Sequence, residues 1–283
     1  MISLDHICFL GTPDFSVPVL LQLRKHFPDS KLSVITMPDR VRGRGSSLSA
    51  APVGKAAEQL KLPVFKPISK LELTSCIRHL KPSIIIVVAY GMILEKVVTD
   101  TYFCLNIHSS LLPKYRGASP IHTALLNGDH ITGISLIKMN EYMDDGDIVY
   151  QKELCIEDHD NLGGLTKKLS LLGADSCIDF LKNHVLKGTI FYQPQLTADV
   201  SYSQKINKSD LLIESFDNLA LVHKKIRAYS PKPAAYTIHS GRRIKLLSSA
   251  FKNGNFELLY VQPEGRSIMT YSDFLLGTTN GLY

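Results

Sequence analysis

Residues 84–89 read Ile-Ile-Ile-Val-Val-Ala, and a run so dense in β-branched side chains has few destinations in a folded chain. It is far below the roughly 18 apolar residues that a membrane span needs, and it lacks the alternation of a strand with one wet face. What remains is a central strand of a parallel sheet, covered on both faces by helices. The rest of the first half supplies the partners. Residues 6–10 and 31–36 read as further buried strands and residues 104–107 as one more. Residues 16–26 place Val17, Leu20, Leu21 and Leu23 on a helical stripe, with Ser16 as its cap and Pro18 two residues on, and residues 53–60 repeat the helical signal. The expectation is an α/β fold built on an open, mostly parallel, Rossmann-like sheet. In such sheets ligands gather beyond the carboxyl ends of the strands, so the segment after residue 107 is where chemistry should sit.

A chain of 283 residues suits two domains better than one. Residues 189–203 are polar and lack periodicity, as a linker would. Beyond them, residues 236–238, 243–247 and 256–261 have strand character with Gly and Asn between, the pattern of a smaller β-barrel of OB-like type. The division expected is 1–188, linker 189–203 and 204–283. Residues 201–245 hold nine basic and three acidic residues, an excess equal to the +6 of the whole chain. Charge concentrated in this way suits a polyanionic partner, since neutralising phosphates releases counterions. The loop at 37–52 adds Arg40, Arg42 and Arg44 among glycines and serines, and it is long for a βα connection.

Several classes drop out. No apolar run reaches membrane-spanning length and the first residues carry no basic signal-peptide region, so a cytoplasmic, non-membrane protein is expected. Cys8, Cys76, Cys104, Cys155 and Cys177 are scattered without Cys-x-x-Cys spacing, which argues against a zinc site or a disulfide framework and predicts no metal. Gly11 and Gly45 do not build a dinucleotide fingerprint, and Ser110 lacks the elbow of a serine hydrolase.

The strongest chemical signal is Asn106-Ile107-His108-Ser109-Ser110-Leu111-Leu112-Pro113, followed by Arg116-Gly117 and later by Asp144-Asp145-Gly146-Asp147. In an extended segment Asn106 and His108 project to one face, because side chains alternate with period two. Should a loop bring Asp144 to that face, an amide, an imidazole and a carboxylate could polarise a carbonyl, stabilise an oxyanion and manage a proton. Taken singly, Asn106 reads equally well as a strand-end residue, His108 as a buried histidine and Asp144 as a turn residue.

The Asn-x-His element with its Ser-Leu-Leu-Pro tail and later Asp resembles the folate-dependent formyltransferases. Further segments narrow the likeness to the methionyl-tRNA formyltransferase family: residues 9–15 (Phe-Leu-Gly-Thr-Pro-Asp-Phe), Pro38-Asp39-Arg40 with Gly43-Arg44-Gly45, residues 87–91 (Val-Val-Ala-Tyr-Gly), and residues 226–231 (Ile-Arg-Ala-Tyr-Ser-Pro) with Pro233. The likeness runs in order along nearly the whole chain. It implies a cytoplasmic, monomeric formyltransferase that uses 10-formyltetrahydrofolate, without a metal, to formylate the α-amine of initiator methionyl-tRNA. Asn106 would then donate to the formyl oxygen, His108 would accept a proton or face the oxyanion, and Asp144 would orient His108. Folate would lie beside Ser110, Leu111, Leu112, Pro113, Tyr90 and Gly91. Contacts to tRNA would come from Arg40, Arg42, Arg44, Lys205, Lys208 and Arg227, with 1–188 catalytic and 204–283 a shortened tRNA-binding barrel.

Three features depart from that family's pattern. Asp145 stands where Thr is usual and adds like-charge repulsion beside Asp144. Lys232 stands where an aromatic residue is common, and the chain after Ala250 is short by about two strands of ordinary length. The alternatives are a formyltransferase acting on a nucleotide sugar or another small amine, which would need neither the arginine loop nor the basic C-terminal region, and a tRNA-binding protein that has lost catalysis.

Overall fold

A computed structural model describes residues 2–41, 48–278 and 280–283. In chain order its strands are β1 (His6–Gly11), β2 (Lys31–Ile35), β3 (Arg40–Val41), β4 (Leu48–Ser49), β5 (Val64–Phe65), β6 (Ile84–Val88), β7 (Cys104–His108), β8 (Arg116–Gly117), β9 (Ile131–Lys138), β10 (Asp147–Cys155), β11 (Tyr202–Ser203), β12 (Ala235–His239), β13 (Arg242–Lys252), β14 (Asn255–Pro263) and β15 (Met269–Thr270). The α-helices are α1 (Val17–His26), α2 (Pro52–Gln59), α3 (Lys70–Leu80), α4 (Lys96–Thr101), α5 (Pro120–Asn127), α6 (Leu162–Phe180), α7 (Leu219–Tyr229) and α8 (Tyr271–Leu276). The chain divides into two compact units: Met1–Arg116, Gly133–Leu154 and Lys168–Tyr202 form one, and Gly117–Thr132, Cys155–Lys167 and Ser203–Tyr283 the other.

The first unit is built on a seven-stranded sheet in the order β10-β9-β7-β6-β1-β2-β5. β1 pairs parallel with both β2 and β6, β6 pairs parallel with β7, and β9 closes onto β7 antiparallel. The run at 84–89 is thus near the middle of the sheet, where every side chain of β6 is buried. Ile84, Ile85 and Ile86 have no exposed surface, and each such burial stabilises the fold by roughly 2 kcal/mol. One face is sealed by Leu10, Ile35, Leu73, Ile77 and Val87 together with Tyr90 and Leu94.

Local signals explain both ends of α3. α3 begins where the Ser69 hydroxyl accepts from the backbone of Glu72, while the Glu72 carboxylate accepts from Ile68 N–H. It ends on Lys81 in the left-handed conformation. Ser16 departs from its expected role. It stands at the N-cap of α1, but its hydroxyl donates to Val88 O at 2.6 Å and makes no capping bond. The Val88 carbonyl, buried at the end of a central strand, needs a donor, and the Ser16 hydroxyl supplies it. The loop at 37–52 also carries more structure than its polarity suggests, since β3 and β4 pair antiparallel at its two ends.

In the second unit β12, β13, β14 and β15 form an antiparallel sheet in that order, and Leu212 adds a single bridge to Tyr236 at its edge. α7, capped by the Asn218 side chain on Leu221 N–H, lays Val222, Ile226 and Tyr229 on this sheet against Ile244, Leu246 and Val261. Leu126 of α5 packs on the same cluster, and the His122 and Tyr229 rings lie 6.0 Å apart. Among the described residues no helix is long and apolar enough to cross a membrane.

Candidate active site

The site lies at the carboxyl end of β7, in the first unit. Asn106 and His108 leave the strand on one face, as period-two alternation requires, and a turn at residues 144–146 brings Asp144 to them. The Asn106 Nδ2 donates to Asp144 Oδ1 at 3.2 Å, and Asp144 Oδ2 lies 3.6 Å from His108 Nδ1. The imidazole and carboxylate are only 7% and 14% exposed, so water screens their interaction weakly.

His108 Nε2 lies 3.0 Å from the carbonyl oxygen of Tyr115. A carbonyl can only accept, so Nε2 carries hydrogen and Nδ1, facing Asp144, is the nitrogen left to gain or lose a proton. The loop that presents Tyr115 is held on several sides. Ser110 donates to Lys114 O at 2.6 Å, Ser135 donates to Ser110 O at 2.7 Å, and Tyr115 N–H donates to Ser201 Oγ at 3.0 Å. Gln151 donates to Leu112 O at 2.8 Å.

Asp144 itself has φ +53°, a left-handed conformation unusual for a residue with a side chain. The turn around it is tied down on both sides. The Gln195 amide donates to the carbonyls of Asp144 and Gly146, both at 2.8 Å, and its own oxygen accepts from Arg116 Nε at 2.9 Å. Arg116, almost fully buried, forms an ion pair with Asp145. The like-charge repulsion expected from Asp145 therefore meets a guanidinium, and the second carboxylate turns towards that partner. Neither Gln195 nor Tyr115 was singled out in the sequence. Their contributions go through a side-chain amide and a backbone carbonyl, for which no spacing gives a signal.

The other candidate residues are placed as follows. The Tyr90 ring is buried in the core with Leu73, Ile77 and Leu94, and its carbonyl accepts from Thr12 Oγ1 at 2.6 Å. Burial pushes the Tyr90 phenol well above its ordinary range. Gly91 follows with φ +99°, at the carboxyl end of the strand next to β7. Leu111 and Pro113 are half-buried, whereas Ser110 and Leu112 are buried. Arg40 is exposed, and its neighbour Asp39 pairs with Lys66 at 2.9 Å. Arg42 and Arg44 lie outside the described residues. In the second unit Lys205 and Lys208 are exposed, while the Arg227 guanidinium donates to the carbonyls of Asp160 at 2.7 Å and Glu157 at 2.8 Å.

An amide donor hydrogen-bonded to a carboxylate, with a proton-carrying imidazole 3.6 Å from that carboxylate, suits attack on a carbonyl carbon, with an oxyanion to stabilise and one proton to move. Among the described residues no cluster of three His, Cys, Asp or Glu could hold a metal ion. The same donor set fits a formyl-bearing folate, because it offers an N–H for the formyl oxygen and a base for the incoming amine.

Comparison with known proteins shows the family. Residues 5–181 match the family model described as formyl transferase, and residues 205–257 match its C-terminal domain. The methionyl-tRNA formyltransferase of Thermodesulfovibrio yellowstonii is 36% identical, over 96% of this chain and 95% of its own. That of Kosmotoga olearia is 42% identical, over 86% of this chain and 79% of its own. Among solved structures, WlaRD, a sugar 3N-formyl transferase determined in the presence of dTDP and 5-N-formyl-THF, superposes with a TM-score of 0.70 at 18% identity, covering 94% of this chain and 100% of that one. At that identity it speaks for the fold alone, whereas the two relatives match at twice the identity or more across most of their length. The chain belongs to the formyl transferase family, among its methionyl-tRNA formyltransferases.

Proposed function

We propose that this enzyme transfers the formyl group of 10-formyltetrahydrofolate to the α-amine of methionine carried on initiator tRNA. The observation that carries the reading is the meeting of Asn106 and His108 with Asp144, distant from them in the chain, at the end of β7. When bound, the folate supplies the electrophilic formyl carbon.

Each residue then has a task. An Asn amide has two N–H groups; with one on Asp144, Asn106 has a second for the oxygen on which negative charge develops. His108 takes the proton of the attacking amine at Nδ1 and returns it to the departing nitrogen. Asp144 stabilises the imidazolium in between, and the Tyr115 carbonyl holds the ring in place through Nε2. The backbone at Tyr90 and Gly91 and the loop from Ser110 through Leu111 and Leu112 to Pro113 form the folate side of the site. Residues 1–188 act as the catalytic domain, 189–203 as a linker and 204–283 as the tRNA-binding domain. Arg40, Arg42, Arg44, Lys205 and Lys208 meet the tRNA phosphates, which suits guanidinium forks and flexible ammonium groups. Arg227, engaged with the backbone carbonyls of Asp160 and Glu157, holds those residues within the second unit. The enzyme acts as a monomer in the cytoplasm.

The test is formylation of methionyl initiator tRNA by the purified protein with 10-formyltetrahydrofolate, beside His108→Ala. Turnover is expected for the wild type, with a loss of about a hundredfold or more for the variant. Turnover with an amino-sugar nucleotide and none with methionyl-tRNA would move the assignment to small amines. Arg44→Ala should raise the apparent KM for tRNA while that for folate stays unchanged.

A further inference from the structure

We propose that Gln195 is a positioning residue for formyl transfer, holding the turn at residues 144–146 so that Asp144 meets Asn106 and His108. The inference rests on the roles given above to those three residues. It begins from the backbone: Asp144 adopts φ +53°, which an aspartate does not prefer, and a short turn in that state relaxes unless its neighbours are held.

Gln195 holds them through both ends of its amide. The two hydrogens of Nε2 go to the carbonyls of Asp144 and Gly146, on either side of Asp145. Oε1 accepts from Arg116 Nε, and the other arm of that guanidinium pairs with Asp145. Three consecutive residues are therefore gripped by one closed ring of interactions. The ring is anchored in turn, because Gln193 and Ile148 exchange backbone hydrogen bonds at 2.8 and 2.9 Å and so fix the chain two residues before Gln195.

Few side chains can replace it. Methionine has the length and no donor. Glutamate keeps an acceptor for Arg116 but turns oxygens towards two carbonyl oxygens, and asparagine is one methylene short. Because a displacement of about 1 Å in a catalytic group costs on the order of a hundredfold in rate, loosening this turn acts on turnover before it acts on binding.

The experiment compares Gln195→Met, Gln195→Glu, Asp144→Asn and the double variant Gln195→Met/Asp144→Asn with methionyl-tRNA and 10-formyltetrahydrofolate. Each Gln195 variant is expected to lose about 10- to 100-fold in kcat, with KM for both substrates within about threefold of wild type. In the Asp144→Asn background, Gln195→Met should add less than about threefold, because the carboxylate through which it acts is already gone. A kcat within threefold of wild type overturns the proposal, and so does a full loss repeated on top of Asp144→Asn. If Gln195→Met does not fold, the nearly isosteric Gln195→Glu decides by the same split between kcat and KM. An impaired Asp144→Asn beside unimpaired Gln195 variants removes this proposal alone. An Asp144→Asn enzyme with wild-type kcat removes the reading of the three residues together with it.

Discussion

Replacing Asp144 by Asn removes one charge from the site and almost nothing else. Asn tolerates the left-handed conformation found here at φ +53°, where Ala would add backbone strain. Its side-chain oxygen keeps the acceptor that Asn106 uses at 3.2 Å. What is lost is the attraction between the carboxylate and the imidazolium formed when His108 takes a proton. At the 3.6 Å separation of His108 Nδ1 and Asp144 Oδ2, two opposite unit charges attract by about 4 to 5 kcal/mol at an effective dielectric of about 20. Both side chains are shielded from water, so screening removes little of this, and the amide dipole of Asn restores a part. A net loss of about 3 to 4 kcal/mol should remain, or a kcat lower by ~10²- to 10³-fold. The assay is single-turnover formylation of methionyl-tRNA with both substrates saturating, with thermal unfolding of the variant measured alongside. A folded Asp144→Asn enzyme within about fivefold of the wild-type rate would refute the electrostatic argument.

Two further perturbations test packing, one at the turn beside this chemistry and one within the second unit. In Gly146→Ala the added Cβ would strike the backbone carbonyl oxygen of Lys138, so the turn must shift; thermal unfolding should report a loss of about 1 to 3 kcal/mol and the formylation assay a fall in kcat, and an unchanged enzyme would contradict the close approach. His223 is held down to about 4, first by burial and then by the Arg227 charge, with Asp158 opposing. Because the folded pKa is below the ordinary 6.5, the unfolded chain binds more protons between the two values, and stability is lost as pH falls through that window. His223→Gln should therefore show a smaller drop in Tm between pH 7 and pH 4.5 than the wild type, and an equal drop would assign the acid sensitivity elsewhere.

Much of the architecture is legible in local pattern. The β-branched run of β6, the shorter strands β1, β2 and β7, and the stripes of α1 and α2 fall within a residue or two of where composition and period place them. Period and burial are local properties, and a sheet covered on both faces writes them plainly. The two-sided alternation that sets Asn106 beside His108 belongs to the same class. Ser16 shows the limit of such reading: it has the right residue type for a cap, yet the carbonyl of Val88, 72 positions away, takes its hydroxyl.

The sequence by itself determined the layered α/β class, the shared face of Asn106 and His108, and the concentration of positive charge in residues 201–245. Only the tertiary structure decided that Asp144 completes the group, that Asp145 turns to Arg116, that Arg227 serves two backbone carbonyls, and that Gln195, in a stretch with the look of a linker, grips the turn at residues 144–146. The physical reason is range. Periodicity and propensity act over a few residues, whereas these contacts join groups separated by 29 to 70 positions, and their geometry exists only after the intervening chain has closed.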